Sequence, residues 1–250
     1  MKIKPVTFFL CLIICSCGES KTNTLTIATA SNMQFAMTEI VQSFTKHTGI
    51  KCHIITGSSG KLTAQISEGA PYDIFLSANI KYPEELYKKG FTSSKPIIYA
   101  YGGLVLWSTM HEKPSLSILL KDTITHIAIA NPKTAPYGEA AVLVLKNAGI
   151  YEEIKNKLVY GESISQTNQF ILSGAADIGF TSKSVVLSPK IKNEGNWISI
   201  NEDNHSPINQ GVVLLKSSNR KQKGERFYTF LFSEQAQNIL KKYGYSVAQE

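Results

Sequence analysis

From Leu25 onward, short runs of apolar and β-branched residues alternate with longer stretches whose apolar residues return every three or four positions. The first pattern suits strands and the second suits helices, so the alternation predicts an α/β chain with mostly parallel sheets. Residues 25–30 predict a strand. Over 33–47, Met33, Ala36, Met37, Ile40, Val41 and Phe44 fall on one helical face, and Gly49 supplies a stop. Strands are predicted at 52–56 and 73–78, and helices at 62–68 and 82–89, the second closed by Gly90. A second unit begins with a strand at 101–107. It continues through a strand at 126–131, helices at 136–147 and 166–173, and a strand at 177–181. A last strand at 211–215 precedes one amphipathic helix over 225–243, carrying Phe227, Phe230, Leu231, Ile239 and Leu240.

The first residues follow another pattern. Lys2 and Lys4 precede an apolar run over 6–14, too short for a bilayer span of about 20 residues. This is the outline of a secretory signal peptide, assigned to 1–16. The run closes on Ile14-Cys15-Ser16-Cys17-Gly18, which resembles the bacterial lipobox. Cys17 is the expected lipidation site, Cys15 the alternative, and a plain cleaved signal the other reading; 17–24 would link an anchor to the folded part. Past the signal the cysteines are Cys17 and Cys52, too few for a disulfide framework or a zinc site.

Composition narrows the function class. With 250 residues, 43% hydrophobic and 18% charged, the chain can bury a sizeable core and is neither disordered nor fibrous. The formal charge of +7 is scattered. Its densest spots, Lys190 with Lys192 and Arg220, Lys221 with Lys223, do not form the aromatic-studded stripe of a nucleic-acid binder.

Candidate chemistry gathers where strands turn into helices. Ala30-Ser31-Asn32, Gly57-Ser58-Ser59-Gly60 and the turn from Thr134 to Gly138 each place small hydroxyl, amide or glycine residues at such a junction. A helix start offers unpaired N–H groups and about half a positive charge, so it attracts anions without a basic side chain. Pro136 suits the first turn and leaves the N–H groups of Tyr137 and Gly138 to donate. The plainer reading is that these residues are N-caps, worth about 1 kcal/mol each. Ligands of doubly wound sheets collect outside the carboxyl ends of strands, where all three junctions lie. A P-loop is ruled out at 55–62, because Ile55 and Leu62 stand where it needs glycine and a hydroxyl. The five histidines, His47, His53, His111, His126 and His205, lack metal-ligand spacing, and no G-x-S-x-G elbow occurs. Asp73 and Asp177 precede apolar strands and are expected to hold turns.

Several of these motifs, in their order, resemble the molybdate-binding proteins of bacterial ABC importers. The resemblance runs from about Leu25 to Val247 and rests on Ala28-Thr29-Ala30-Ser31-Asn32, Gly57-Ser58-Ser59-Gly60-Lys61-Leu62, the stretch from Gly69 to Ala78, the stretch from Ala130 to Ala141, and Tyr243-Gly244-Tyr245. It implies a two-lobed type II periplasmic-binding-protein fold, with mostly parallel sheets flanked by helices and two crossovers between lobes. The first lobe would hold 25–100 and 212–250, the second 101–211. The resemblance also implies an oxyanion held by Ser31, Asn32 and Ser59 from the first lobe and by the backbone N–H groups of Tyr137 and Ile164 from the second. Ser58 is a secondary candidate. So is Phe180, which stands near a ligand-binding tyrosine of another branch of the family but cannot donate. Metal would enter only within the bound oxyanion, molybdate or tungstate, and no cofactor is expected. The implied protein is an exported, monomeric receptor in the periplasm or at the cell surface. It would touch the membrane only through a lipid, deliver to an ABC permease and perform no catalysis. A sulfate or thiosulfate receptor is the nearest alternative, and an enzyme acting on a phosphorylated metabolite a more distant one. Ser59→Ala is expected to weaken binding and spare the unliganded fold.

Overall fold

A computed structural model describes residues 24–247. The chain first lays down β1 (Leu25–Ala30), α1 (Gln34–Thr48), β2 (Cys52–Gly57), α2 (Ser59–Ser67), β3 (Ile74–Ser77), α3 (Lys81–Lys88) and β4 (Ile97–Gly102). It then crosses into a second lobe of β5 (Leu104–Ser108), β6 (Ile127–Ala130), α4 (Pro136–Asn147), α5 (Tyr151–Ile154), β7 (Leu158–Gly161), α6 (Ile164–Leu172), β8 (Ile178–Ser182), α7 (Lys183–Val186) and β9 (Asn196–Ser199). Finally it returns through β10 (Ile208–Leu214), α8 (Lys221–Leu231) and α9 (Glu234–Lys242). The predicted signal peptide, the linker up to residue 23 and the Cys17 site lie outside the described residues.

Two five-stranded sheets result, ordered β2-β1-β3-β10-β4 and β7-β6-β8-β5-β9. Each is mixed. β1 runs parallel to β2 and β3, and β6 parallel to β7 and β8. β10 and β5 run antiparallel to both neighbours. These are the two strands that arrive from the other lobe, so neither has a crossover helix within its own lobe to turn it parallel.

The lobe border falls elsewhere than the apolar pattern suggests. The predicted strand 101–107 is two strands. Tyr101 and Gly102 still pair with β10 in the first sheet, whereas Leu104 already pairs with Ser182 in the second. Likewise Ile208, Asn209, Gln210 and Gly211, counted with the second lobe, pair with β4 in the first sheet. The apolar run continues through Gly102-Gly103, so nothing local marks the change of partner. The single helix predicted at 225–243 is also split, because Ser233 interrupts it and caps α9.

Burial follows the predicted faces. On α1 the buried residues are Ala36, Met37, Ile40, Val41 and Phe44, and Gly49 closes the helix at φ 69° with its N–H on Thr45 O. Phe44 meets Phe227 of α8 edge-on at 5.1 Å. Each fully buried side chain of this size contributes about 1.5 to 3 kcal/mol. One brace recurs in both lobes. Asp73, ahead of β3, accepts from Thr26 N at 2.7 Å, and Asp177, ahead of β8, accepts from His126 N at 2.9 Å and Thr125 N at 2.7 Å. Burial would raise the Asp177 carboxyl, but those N–H groups, the Thr125 hydroxyl and the His126 charge outweigh it and hold it below the ordinary range.

Candidate oxyanion site

The carboxyl ends of two adjacent parallel strands in each lobe face the cleft. β1 leads into a 3-10 turn, Ser31–Met33, and β2 ends at Gly57, ahead of Ser58 and the start of α2. Opposite them, β6 leads to Ala135 and the start of α4, and β7 to Ser163 and the start of α6. The four junctions enclose a small cavity lined by Ala30, Ser31, Asn32, Gly57, Ser58, Ser59, Ala78, Ala135, Pro136, Tyr137 and Ile164. No lining side chain is a carboxylate, lysine, arginine or histidine. The enclosed space is about 10 Å³, the scale at which one water-sized group begins to fit. A space of this size has no room for a sugar or a nucleotide.

Donors at the cavity are unspent. Ser58 is the N-cap residue of α2, yet its hydroxyl makes no cap bond and is buried without a partner. Leaving such a group unsatisfied costs about 1 to 3 kcal/mol; Thr29, Ser43, Tyr99 and Ser188 carry unpartnered hydroxyls elsewhere, and what sets Ser58 apart is its place at a helix start on the cavity wall. The N–H groups of Ser59, Tyr137 and Ile164 lie in first helical turns, where no intrahelical acceptor exists. Ser163 caps α6 by its backbone alone.

The lobes touch across this cavity. Gly60 N donates to Thr134 O at 2.9 Å and Ser165 Oγ to Gln34 Oε1 at 2.9 Å, while Lys61 pairs with Glu162. On the hinge side, Ser184 Oγ donates to Asn32 O at 2.7 Å, and Tyr245 OH lies 3.0 Å from Ser184 Oγ.

The family model for bacterial extracellular solute-binding proteins matches residues 25–246. The chain belongs to that family. It is 37% identical over 227 residues to the molybdate-binding protein ModA of Azotobacter vinelandii, covering 88% of this chain and 89% of that one. It is 37% identical over 220 residues to ModA of Rhodobacter capsulatus, covering 87% and 86%. The solved structure of the Azotobacter vinelandii periplasmic molybdate-binding protein superposes with a TM-score of 0.86 at 34% identity, over 90% of this chain and 100% of that chain.

Within this solute-binding protein, Ser31, Asn32, Ser58, Ser59, Tyr137 and Ile164 all line the one cavity. Their parts differ from expectation in four respects. Both amide hydrogens of Asn32 are committed, to Gln210 Oε1 at 2.9 Å and Tyr245 OH at 2.8 Å. Gln210 is itself oriented by donating to Ala78 O and Ile208 O, so the Asn32 side chain braces the turn and only its backbone can serve a ligand. The Gly138 N–H bonds Ala135 O at 2.9 Å and is not free. Ser59 Oγ accepts from Ala78 N at 2.9 Å, so Ser59→Ala would strand a buried N–H and not spare the fold. Phe180 does not reach the cavity; it pairs with Leu106 inside the second-lobe core.

The Tyr137 ring points away from the cavity toward the hinge, where its hydroxyl lies 2.1 Å from the position a Cβ on Gly102 would take. Burial, then the neighbouring Tyr245 and Tyr99, push its phenol well above the usual range. It is not a general base. Gln210, Ser184 and Tyr245 were not singled out as site supports from the sequence. Gln210 had a visible signal, a large polar residue ahead of the apolar Val212-Val213-Leu214-Leu215 run; Ser184 had none. No group of three or more His, Cys, Asp and Glu suited to a metal ion occurs among the described residues. Burial, then the Asp73 carboxylate, raises the Cys52 thiol to about 12, which keeps it protonated.

Proposed function

We propose that this protein captures molybdate, and tungstate of the same shape and charge, between its lobes and delivers it to an ABC importer. The observation that carries the reading is the unsatisfied Ser58 hydroxyl beside three helix starts from both lobes, all facing one small space without charged side chains. The relatives named above bind molybdate, and their likeness to this chain extends across both lobes. Neutral donors suit a dianion. Each charge-assisted bond contributes about 1.5 to 3 kcal/mol, so four to six of them span the roughly 8 to 12 kcal/mol of micromolar to nanomolar binding. The backbone N–H groups offer no acceptor to a proton, and of the proposed donors only the serine hydroxyls could take one, so phosphate, part-protonated near neutral pH, binds more weakly than a full dianion. Capture proceeds by hinge closure at Gly102-Gly103 and the 200–207 segment, which bring the second-lobe donors onto the ion.

Calorimetry with molybdate, tungstate, sulfate and phosphate at pH 7 tests this. Molybdate should bind tightly and phosphate weakly or not at all; comparable phosphate binding, or sulfate binding above molybdate, overturns the reading. The N-terminal pattern supports a receptor anchored outside the cytoplasm by a lipid on Cys17. Radiolabelled palmitate should enter the wild-type protein and not Cys17→Ser; equal labelling would move the anchor to Cys15 or elsewhere.

A further inference from the structure

Lys61 is the third residue of α2, two positions after Ser59, and Glu162 directly precedes Ser163, the N-cap residue of α6. Their side chains meet as an ion pair across the cleft, each about half exposed, at 50% and 57%. It joins the two lobes, whereas Lys242 with Glu39, Lys89 with Glu85 and Arg220 with Asp73 pair within the first and Lys155 with Glu152 within the second. The cavity behind it holds no charged side chain. The charges of this site therefore stand at its mouth and are kept from the ligand itself.

We propose that Lys61 and Glu162 are a charge gate, a pair formed on closure in which Lys61 speeds entry of the dianion and the pairing slows its release. The inference rests on the dianion reading above. With the lobes apart, the Lys61 cation stands beside the positive end of α2 and reinforces it, while Glu162 opposes the approaching ion from the other rim. Such effects act within about 8 Å at physiological salt and bear on association rate. With the lobes together the two charges cancel. The exposed pair itself shifts the closed-state equilibrium by at most about fivefold and steering by Lys61 adds to the association rate, so Lys61→Gln should weaken affinity by up to about 15-fold while Glu162→Gln, whose two effects oppose, leaves it nearly unchanged. Placing the cation in the cavity would give more attraction and less discrimination, because it would also hold monoanions.

Stopped-flow kinetics with molybdate on wild type, Lys61→Gln, Glu162→Gln and the exchange Lys61→Glu with Glu162→Lys separates this from a merely structural contact. Both residues are exposed, so the variants should fold. Lys61→Gln should slow association about threefold and Glu162→Gln should speed it about as much. Both should hasten dissociation about two- to fivefold, and the exchange should restore it. In 1 M NaCl, where screening acts within about 3 Å, the differences should vanish. Association shifts of the same sign in the two single variants, or unchanged dissociation, overturn the gate. If wild type gives no molybdate heat by calorimetry, the ligand reading has failed instead. The gate is then judged from interlobe spin-label distances: fewer closed molecules in Lys61→Gln than in wild type uphold it, and equal populations refute it.

Discussion

Ser58 and Ser233 occupy the same place at the starts of two first-lobe helices and use their hydroxyls in opposite ways. At α9, away from the cleft, Ser233 Oγ accepts from Ala236 N at 3.3 Å and donates to Phe230 O at 2.6 Å, so the helix end is satisfied from within. At α2, facing the cleft, the buried Ser58 hydroxyl bonds nothing. The corner around Asp73 extends the contrast. That carboxylate is 1% exposed, yet it accepts from Thr26 N, from Ser218 Oγ at 2.7 Å and from Arg220 Nη1 at 3.1 Å. Buried polar groups find partners as a rule; the hydroxyls of Thr29, Ser43, Tyr99 and Ser188 are exceptions away from the cavity, whereas that of Ser58 stands at a helix start on the cavity wall, where a ligand can complete it.

The largest effect expected from breaking this contrast is at the satisfied end. Asp73→Ala removes the acceptor of a backbone N–H and of a buried hydroxyl, at about 1 to 3 kcal/mol each, so a loss of about 3 kcal/mol is expected. In a chain of this size that lowers the melting temperature by about 6 to 12 °C. Molybdate affinity of the folded fraction should stay at the wild-type value. A fall in affinity, measured by calorimetry below the transition, would mean that the corner communicates with the cleft.

Ser58→Ala should do the reverse. It removes one donor to the ion, so affinity should drop by about 1 to 3 kcal/mol, while the melting temperature without ligand should hold or rise, because an unsatisfied buried hydroxyl is gone. An unchanged dissociation constant would reduce Ser58 to a buried hydroxyl without purpose.

How much of this was legible in the sequence depends on the distance over which each feature is determined. Element type is local: the helical spacing of Met37, Ile40, Val41 and Phe44 and the stop at Gly49 predicted α1 within a residue or two of its bounds. The clustering of Ser31, Ser58 and Ser59 at strand ends was also legible, because a strand end and a helix start are both local signals. Ile164 was not legible on its own, since an apolar side chain says nothing of its N–H, and only the family resemblance singled it out. The lobe border was misplaced at both crossings because sheet membership is decided by partners far along the chain. Asn32 was misread for the same reason: the groups that take its amide hydrogens are 178 and 213 residues away. With those partners unseen, a short amide at a helix start reads as a ligand donor.

The smallest effect, and the control for the rest, lies at Ser233. An N-cap serine replaced by alanine loses about 1 kcal/mol, so Ser233→Ala should lower the melting temperature by about 2 to 4 °C and leave molybdate binding untouched. Paired with Ser58→Ala it forms a cross: one serine should move stability alone and the other affinity alone. If Ser58→Ala instead lowered the unliganded melting temperature as Ser233→Ala does, its hydroxyl would be a cap formed in the open state, and the closed arrangement would have to break that bond to take the ion. Molybdate would then bind at the expense of a helix cap, and the unsatisfied hydroxyl would record closure of the lobes, with no donor held ready for the ligand.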